Sequence, residues 1–213
     1  MKLYTAKLSP FAARCRMQIY AKGLAVDLLE YPTEISKEDI ASASPIAKIP
    51  VLLDQDLVIP ESDTICAYLE ECFPEPSLSA ETAAERARMR LLCRIAELYI
   101  MAPLTPLFAH LSRKHRDQKV VDAGIERLQA GMVSLEHFID GRDFAVGNRL
   151  SLADCCLVPI LFFVVTYLPY FGLDEPLGPH PKTVAYWNSI QQNPHATKVI
   201  QEIRTGISEK SGK

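Results

Sequence analysis

The sequence lacks the features that would place it in a specialised class of protein. Its longest apolar run, residues 155–165, contains Pro159 and is too short to span a bilayer. Its formal net charge is only −3, so no overall basic field is available to hold nucleic acid. No internal repeat or low-complexity segment is present. We therefore expect a globular protein with no membrane partner and no nucleic-acid partner.

Signals for zinc, for redox chemistry and for secretion are also missing. None of the six cysteines forms a Cys-x-x-Cys motif, and no Cys/His pair has the spacing of a zinc site. Residues 1–5 run directly into a strand-like pattern, without the apolar segment and cleavage site of a secretory signal. These patterns predict a cytoplasmic protein that uses no metal.

The signals that are present divide the chain into two parts. Strand and helix patterns alternate over residues 1–75. Strands are predicted at residues 2–6, 26–31, 51–53 and 57–59. Helices are predicted to begin at Ser9, Ser36 and Ser62, and the first should end at Gly23. The order is β-α-β-α-β-β-α, so we expect parallel pairing between strands joined by helices and an antiparallel hairpin at the end.

Every signal after the linker at residues 75–79 is helical. Helices are predicted over residues 81–101, 120–139, 152–168, 183–192 and 196–203. Pro103 and Pro106 should bend or break the first helical region, and the almost wholly apolar segment 152–168 should be the central helix. The predicted fold class is therefore α/β followed by all-α, with domains at residues 1–75 and 82–213.

The first candidate site feature is the Ile49-Pro50 pair at the entry to the third strand. A cis bond there would turn the backbone N–H and C=O of Ile49 outward, where they could pair with an extended peptide. A trans proline that starts an edge strand is favoured on sequence alone, because only roughly 5% of X–Pro bonds are cis in folded proteins.

The second feature is Glu61-Ser62-Asp63, between a strand and a helix. With Ser62 as N-cap, free backbone N–H groups and the helix dipole favour an anion such as a ligand carboxylate. Glu61 could accept a hydrogen bond from a ligand ammonium. An ordinary capped helix with an acidic first turn explains the same residues.

The third feature is Ser9, at the N-terminus of the first helix and followed by Pro10 and Phe11. A hydroxyl in this position can donate to a thiolate, and the helix dipole helps to hold the negative sulfur, which lowers the pKa of the thiol. Ser9 can equally be a helix cap and nothing more, since both interpretations share one geometry.

Together, the runs Ser9-Pro10-Phe11, Lys48-Ile49-Pro50 and Glu61-Ser62-Asp63-Thr64-Ile65-Cys66-Ala67-Tyr68-Leu69 resemble the glutathione-binding domain of the cytosolic glutathione transferases. Residues 144–154 are similar to the family's segment that precedes and enters its buried central helix. There, Ser151 and Asp154 predict a capping box. Segment 186–195 resembles the family's late helix, so the resemblance covers nearly the whole chain.

The resemblance implies a thioredoxin-like domain that binds glutathione as co-substrate. Ser9 would stabilise the glutathione thiolate, and the backbone of Ile49, before Pro50, would pair with the cysteinyl part. Glu61 and Ser62 would hold the γ-glutamyl end, and Lys48 would reach the glycyl carboxylate. The all-α domain would supply a pocket for the second substrate, with the candidate wall residues Phe11, Tyr99, Phe108 and Phe163. Plain core packing is the alternative for each wall residue.

The activity implied is transfer of glutathione to small hydrophobic electrophiles in detoxification, by a cytoplasmic homodimer. The start of the chain resembles tau and omega members of the family, whereas residues 97–99 and 105–108 look more like bacterial beta members. Omega members typically have Cys where Ser9 stands, and a serine cannot form a mixed disulfide with glutathione. A non-catalytic interaction module of the same fold is an alternative, as is a glutathione-dependent reductase, dehalogenase or isomerase.

Overall fold

The computed structural model describes residues 1–211 as two compact units. The first unit comprises Met1–Ser79 and the chain from Asn193 onward, and the second comprises Ala80–Gln192. These units differ from the predicted domains in one respect. The sequence assigned the last helix to the all-α part because it follows that part in the chain, whereas the structure packs it against the first helix of the first unit.

Regular structure alternates in the first part of the chain and is helical afterwards. The strands are β1 Lys2–Thr5, β2 Asp27–Glu30, β3 Val51–Asp54 and β4 Leu57–Pro60. The α-helices are α1 Pro10–Lys22, α2 Lys37–Ala43, α3 Ser62–Cys72, α4 Ala83–Ile95, α5 Ala102–Leu107, α6 Gln118–Phe138, α7 Leu152–Tyr167, α8 Pro181–Ile190 and α9 Pro194–Ser211. A π-helix spans Ala96–Met101, and short 3₁₀ turns lie at Phe108–His110, Arg113–His115 and Leu168–Phe171.

The four strands form one sheet in the order β2-β1-β3-β4. Strands β1 and β2, which α1 connects, are parallel, and β3 and β4 form the predicted antiparallel hairpin. Strand β3, which α2 joins to β2, does not pair with β2 but runs antiparallel to β1, with Val51 opposite Tyr4, so the expectation of parallel pairing was wrong there. The connecting helix α2 has seven residues and buries only Ile40, so it offers little apolar surface with which to pack as a parallel crossover helix.

Helix α1 begins and ends where the sequence predicts. Ser9 is its N-cap, Pro10 is its first residue, and Gly23 ends it with φ 63°. A left-handed residue after the last turn is the usual role of such a glycine. The start of α1 therefore follows from local residue choice, and it places Ser9 at the end of the loop that leaves β1.

The central helix of the second unit is α7, which is buried from Leu152 to Val164 as predicted. The predicted capping box of Ser151 and Asp154 is present at its start. Asp154 accepts hydrogen bonds from the backbone N–H groups of Ser151 and Ala145, each at 2.8 Å. Burial raises the pKa of the Asp154 carboxyl to about 6, against the opposing effect of those hydrogen bonds.

The interruption predicted near Pro103 and Pro106 takes the form of the π-helix that precedes them. Pro103 and Pro106 both lie within α5, which follows the π-helix directly. The helical run therefore continues from Ala83 to His110, so the prolines do not break it.

Two helical runs, Ala83–His110 and Leu152–Phe171, are long and apolar enough to cross a membrane by length and composition. Their most apolar windows are 50% and 78% buried inside the protein, respectively. Core helices of soluble proteins pass the same test, so these runs are weak evidence for a membrane span.

Candidate functional site

A cleft of about 870 Å³ opens in the first unit. The loops after β1 and β2, helix α2, the segment before Pro50 and helix α9 form its walls. It brings together three of the residues singled out from the sequence, namely Ser9, Lys48 and Ile49. A ligand cleft of this size accommodates a small molecule.

Ser9 lies half-buried on the wall of this cleft, at the positive end of α1. Its backbone N–H donates to the carbonyl of Ala6 at 3.0 Å, and its Oγ accepts a hydrogen bond from the N–H of Ala12 at 3.1 Å. Accepting this bond uses a lone pair of the hydroxyl oxygen, and no residue within 1–211 accepts a hydrogen bond from the hydroxyl. The cap therefore leaves Ser9 able to donate a hydrogen bond into the cleft.

The Ile49–Pro50 bond is cis, whereas the sequence alone favoured trans. Pro50 is buried and Ile49 lines the cleft. Among the described residues, the backbone N–H and C=O of Ile49 have no hydrogen-bond partner. Such unpaired groups are the ones that an extended peptide uses when it adds to the edge of a folded chain.

The start of α3 differs from its predicted form. Ser62 is the first helical residue and not the N-cap. That position belongs to Glu61, with φ 70° and ψ 119° and no side-chain cap hydrogen bond. A non-glycine residue rarely adopts this backbone conformation. Neither Glu61, which is exposed, nor Ser62, which is buried, is among the residues that line the cleft.

Side chains of α1 hold the first turn of α3, and sequence reasoning missed them. The Arg14 guanidinium, buried on α1, contacts Asp63 Oδ1 at 2.6 Å. The thiol of Cys15 donates to the Ser62 carbonyl at 3.7 Å. The only signal in the sequence was a pair of arginines, Arg14 and Arg16, within the predicted first helix.

The charge on the cleft wall favours an anionic ligand. Its two carboxylates both contact Lys7: Glu30 accepts a hydrogen bond from the Lys7 backbone N–H, and Glu209 accepts one from Lys7 Nζ, each at 2.7 Å. The hydrogen bond to Glu209 raises the pKa of Lys7. The remaining charged lining residues are all lysines, at positions 37, 48 and 210.

Two of the four aromatic residues predicted for the electrophile pocket lie in contact. The rings of Phe108 and Phe163 are 5.8 Å apart and meet edge to face. Tyr167, which the sequence did not single out, lies 5.0 Å from Phe108 and 5.4 Å from Phe163. Tyr99 lies in the π-helix with 56% of its surface exposed. Phe11 is half-buried on α1.

Metal ligands are not grouped in the part of the chain that the structure describes. Within residues 1–211, no set of three or more His, Cys, Asp or Glu side chains is arranged to hold an ion.

Two family profiles match this chain. The family described as "Glutathione S-transferase, N-terminal domain" matches residues 3–77, and "Glutathione S-transferase, C-terminal domain" matches residues 95–194. A solved glutathione S-transferase from Methylobacterium radiotolerans, in complex with glutathione sulfonate, superposes with a TM-score of 0.79 and 20% identity over 93% of both chains. That likeness shows the fold. The predicted fold class, a thioredoxin-like domain followed by an all-α domain, is confirmed.

Two curated relatives differ in the function that their names suggest. "Glutathione S-transferase 1" of Dianthus caryophyllus is 31% identical over 183 residues, which are 82% of this chain and 80% of the relative. "Stringent starvation protein A homolog" of Coxiella burnetii is 29% identical over 178 residues, which are 83% of this chain and 79% of the relative.

Proposed function

The chain belongs to the glutathione S-transferase family, and we propose that it conjugates the glutathione thiolate to small hydrophobic electrophiles. The observation that carries this proposal is the Ser9 hydroxyl. It lies in the cleft at the N-terminus of α1, and no residue within 1–211 accepts its proton. A hydroxyl in that position can donate to the sulfur of a bound thiol.

Thiolate formation is the first step of the proposed mechanism. The thiol of bound glutathione loses its proton to solvent, and the sulfur accepts a hydrogen bond from Ser9 Oγ. The partial positive charge at the start of α1 further favours the anion. Both effects are strongest for the thiolate, so the pKa of the bound thiol falls below that of free glutathione.

Transfer then forms one carbon–sulfur bond. The thiolate attacks an electrophilic carbon, and a leaving group such as chloride departs with the bonding electron pair, so no oxidant or metal is required. Phe11, Tyr99, Phe108 and Phe163 are proposed to hold the apolar part of the electrophile, with Tyr99 able to donate a hydrogen bond to a substrate oxygen. Tyr99, Phe108 and Phe163 belong to the second unit and Phe11 to the first, so the proposal gives the all-α domain the larger part in binding the second substrate.

The tripeptide itself is proposed to bind through groups on the first unit. The unpaired backbone of Ile49, before Pro50, pairs with the cysteinyl part, and Lys48 meets the glycyl carboxylate. The γ-glutamyl end binds Glu61 and Ser62 at the start of α3, where the backbone N–H groups of the first turn suit a carboxylate. We further propose that the enzyme acts as a cytoplasmic homodimer in detoxification.

Conjugation of glutathione to a generic chloronitroarene tests this function. Wild-type protein should be retained on immobilised glutathione and should form the conjugate. Ser9→Ala should lower kcat far more than it weakens glutathione binding, because the hydroxyl acts on the thiolate. Ser36→Ala is the matched control, since Ser36 is also a serine N-cap in the first unit but does not line the cleft. No retention together with no conjugation would contradict the proposal.

A non-catalytic interaction module is the second candidate, and the similarity to the stringent starvation protein A homolog favours it. A module of this kind needs no thiol-activating hydroxyl. It predicts that Ser9→Ala and wild type behave alike in every glutathione assay.

A glutathione-dependent reductase, dehalogenase or isomerase is the remaining alternative. Ser9 cannot form a mixed disulfide, and Cys15 is wholly buried. Reduction of a glutathione mixed disulfide by the wild-type protein would therefore contradict the proposed thiolate chemistry.

A further inference from the structure

We propose that Arg16 and Glu202 are positioning residues for Ser9, so that the C-terminal helix α9 sets the geometry of thiol activation. This inference rests on the proposed function, because it concerns the residue that activates glutathione. The loop between β1 and α1 carries Ser9, and an ion pair between the buried Arg16 of α1 and the partly exposed Glu202 of α9 holds that loop.

The Arg16 side chain is 3% exposed and donates to successive groups of the loop. Its Nη1 donates to Thr5 Oγ1 at 2.7 Å and to the Ala6 carbonyl at 3.0 Å. Its Nη2 reaches the Lys7 carbonyl at 3.5 Å. One planar guanidinium thus fixes the chain from the end of β1 almost to Ser9.

The Ala6 carbonyl links this contact to Ser9. It accepts hydrogen bonds from both Arg16 Nη1 and the backbone N–H of Ser9. A carbonyl has two lone pairs, so both bonds can form together. A shift of the Arg16 guanidinium moves this carbonyl, and with it the residue whose hydroxyl meets the sulfur.

Glu202 on α9 keeps the Arg16 guanidinium in place. Its Oε2 accepts a hydrogen bond from Arg16 Nε, and its Oε1 accepts one from the hydroxyl of Tyr20, each at 2.7 Å. A buried guanidinium without a carboxylate is strongly disfavoured, so the pair fixes α9 and the arginine together. Arg16 and Glu202 are 186 residues apart in the sequence.

Close packing also holds α9 against the same loop. A Cβ on Gly206 would lie 2.8 Å from Lys7 Cβ and 3.1 Å from Leu8 Cγ, so a larger residue would displace the loop or the helix. Lys7 in turn bonds to Glu209 of α9 at 2.7 Å. Residues 202, 206 and 209 of α9 therefore lie against either the loop that carries Ser9 or the Arg16 side chain that holds this loop.

Glu202→Gln is the principal test, made in the full-length protein with glutathione and the chloronitroarene. The amide keeps one acceptor for Arg16 and removes the charge that fixes the guanidinium. We expect kcat to fall by about tenfold, while KM for glutathione changes by less than about threefold. The pKa of the bound thiol, read from thiolate absorbance against pH, should rise toward that of free glutathione. Glu71→Gln, an exposed change on α3, is the control.

A double-mutant cycle with Ser9→Ala separates positioning from general destabilisation. In the Ser9→Ala background, Glu202→Gln should leave kcat and the thiol pKa unchanged, because the hydroxyl it positions is absent. An equal loss in both backgrounds would overturn the inference. So would a normal thiol pKa in Glu202→Gln alone.

Milder variants decide the matter if Glu202→Gln does not fold. Tyr20→Phe removes one hydrogen bond from Glu202 and leaves the ion pair, so it should give a smaller shift of kcat in the same direction. Gly206→Ala should do likewise by displacing the loop. Wild-type kcat in both variants overturns the inference. A wild-type protein that activates no thiol would instead refute the proposed function.

Discussion

Helices α1 and α2 of the first unit both start at a serine cap, but the two caps use the hydroxyl differently. At α2, Ser36 Oγ accepts from the Asp39 N–H at 3.1 Å and donates to Asp39 Oδ2 at 2.8 Å. At α1, the equivalent position is Ala12, so Ser9 accepts from the Ala12 N–H without a carboxylate to take its proton. One residue decides whether a capping serine keeps a proton to donate.

The start of α3 extends the comparison to a helix without a cap. Its N-cap, Glu61, has a positive φ and no side-chain cap hydrogen bond, and Arg14 anchors the first turn through Asp63. At α2 the capping hydroxyl donates to a carboxylate, at α1 the capping hydroxyl remains able to donate, and at α3 no side chain caps the first backbone N–H groups. Only the starts of α1 and α3 therefore offer hydrogen-bond donors to a ligand.

Ser9→Ala and Ser36→Ala should differ most strongly in their effect on kcat. Ser9→Ala should lower kcat by about 100-fold, because it removes a hydrogen-bond donor to a developing or resting anion. Ser36→Ala should leave kcat unchanged. Each should lower the free energy of unfolding by about 1 kcal/mol, through loss of the cap. Steady-state kinetics measures kcat, and urea unfolding measures the free energy of unfolding. Equal kcat values in the two variants would show that the two capping hydroxyls do not differ in function.

Loss of the Arg14–Asp63 ion pair at the start of α3 should lower the stability of the fold. Asp63→Asn keeps a hydrogen-bond acceptor but leaves the Arg14 guanidinium, 2% exposed, without this carboxylate. We expect the free energy of unfolding to fall by about 1.5 kcal/mol. Glu71→Gln, on the exposed face of the same helix, should change it little. A fall no larger than that of the control would show that the ion pair does not anchor α3.

The positive φ of Glu61 should make glycine favourable there. Glu61→Gly should raise the free energy of unfolding by about 0.5 kcal/mol, because glycine adopts a positive φ at a lower steric cost than glutamate, which outweighs its larger loss of chain entropy. The same change should weaken glutathione binding, since it removes the carboxylate proposed to meet the ligand ammonium. Calorimetry of binding and urea unfolding test the two parts, and a loss of stability would contradict the first.

The last and smallest change concerns how the Ser36–Asp39 cap at the start of α2 makes stability depend on pH. Hydrogen bonds from the backbone and hydroxyl of Ser36 lower the pKa of Asp39 below its ordinary 3.8. A carboxyl with a lowered folded-state pKa stabilises the fold above its unfolded pKa and loses that contribution as pH falls through the folded value. The stability difference between wild type and Asp39→Asn should therefore be present at neutral pH and shrink below about pH 3.8. A difference that grows on acidification would contradict this.

Local pattern predicted much of this structure. The Ser9 cap, the Gly23 stop, the β3–β4 hairpin and the Ser151–Asp154 box each depend on residues within a few positions of one another. Their geometry follows from neighbouring backbone and side-chain groups, which the sequence displays directly.

Features set by distant parts of the chain could not be predicted. The direction of β3, the placement of α9 on α1 and the pairing of Arg16 with Glu202 depend on contacts between distant residues. The cis bond before Pro50 was disfavoured by its rarity. The same limit applied to the candidate site: the Ser9 cap followed from local pattern, its proposed role came from the family resemblance, and the residues that contact its loop were not foreseen.

The role proposed for Ser9 can be measured as the pKa of the thiol of bound glutathione. Thiolate absorbance should be measured against pH for wild type, Ser9→Ala and Ser36→Ala, each saturated with glutathione. The pKa should lie below that of free glutathione in wild type and Ser36→Ala, and close to that of the free tripeptide in Ser9→Ala. The same lowered pKa in all three proteins would contradict the role proposed for Ser9.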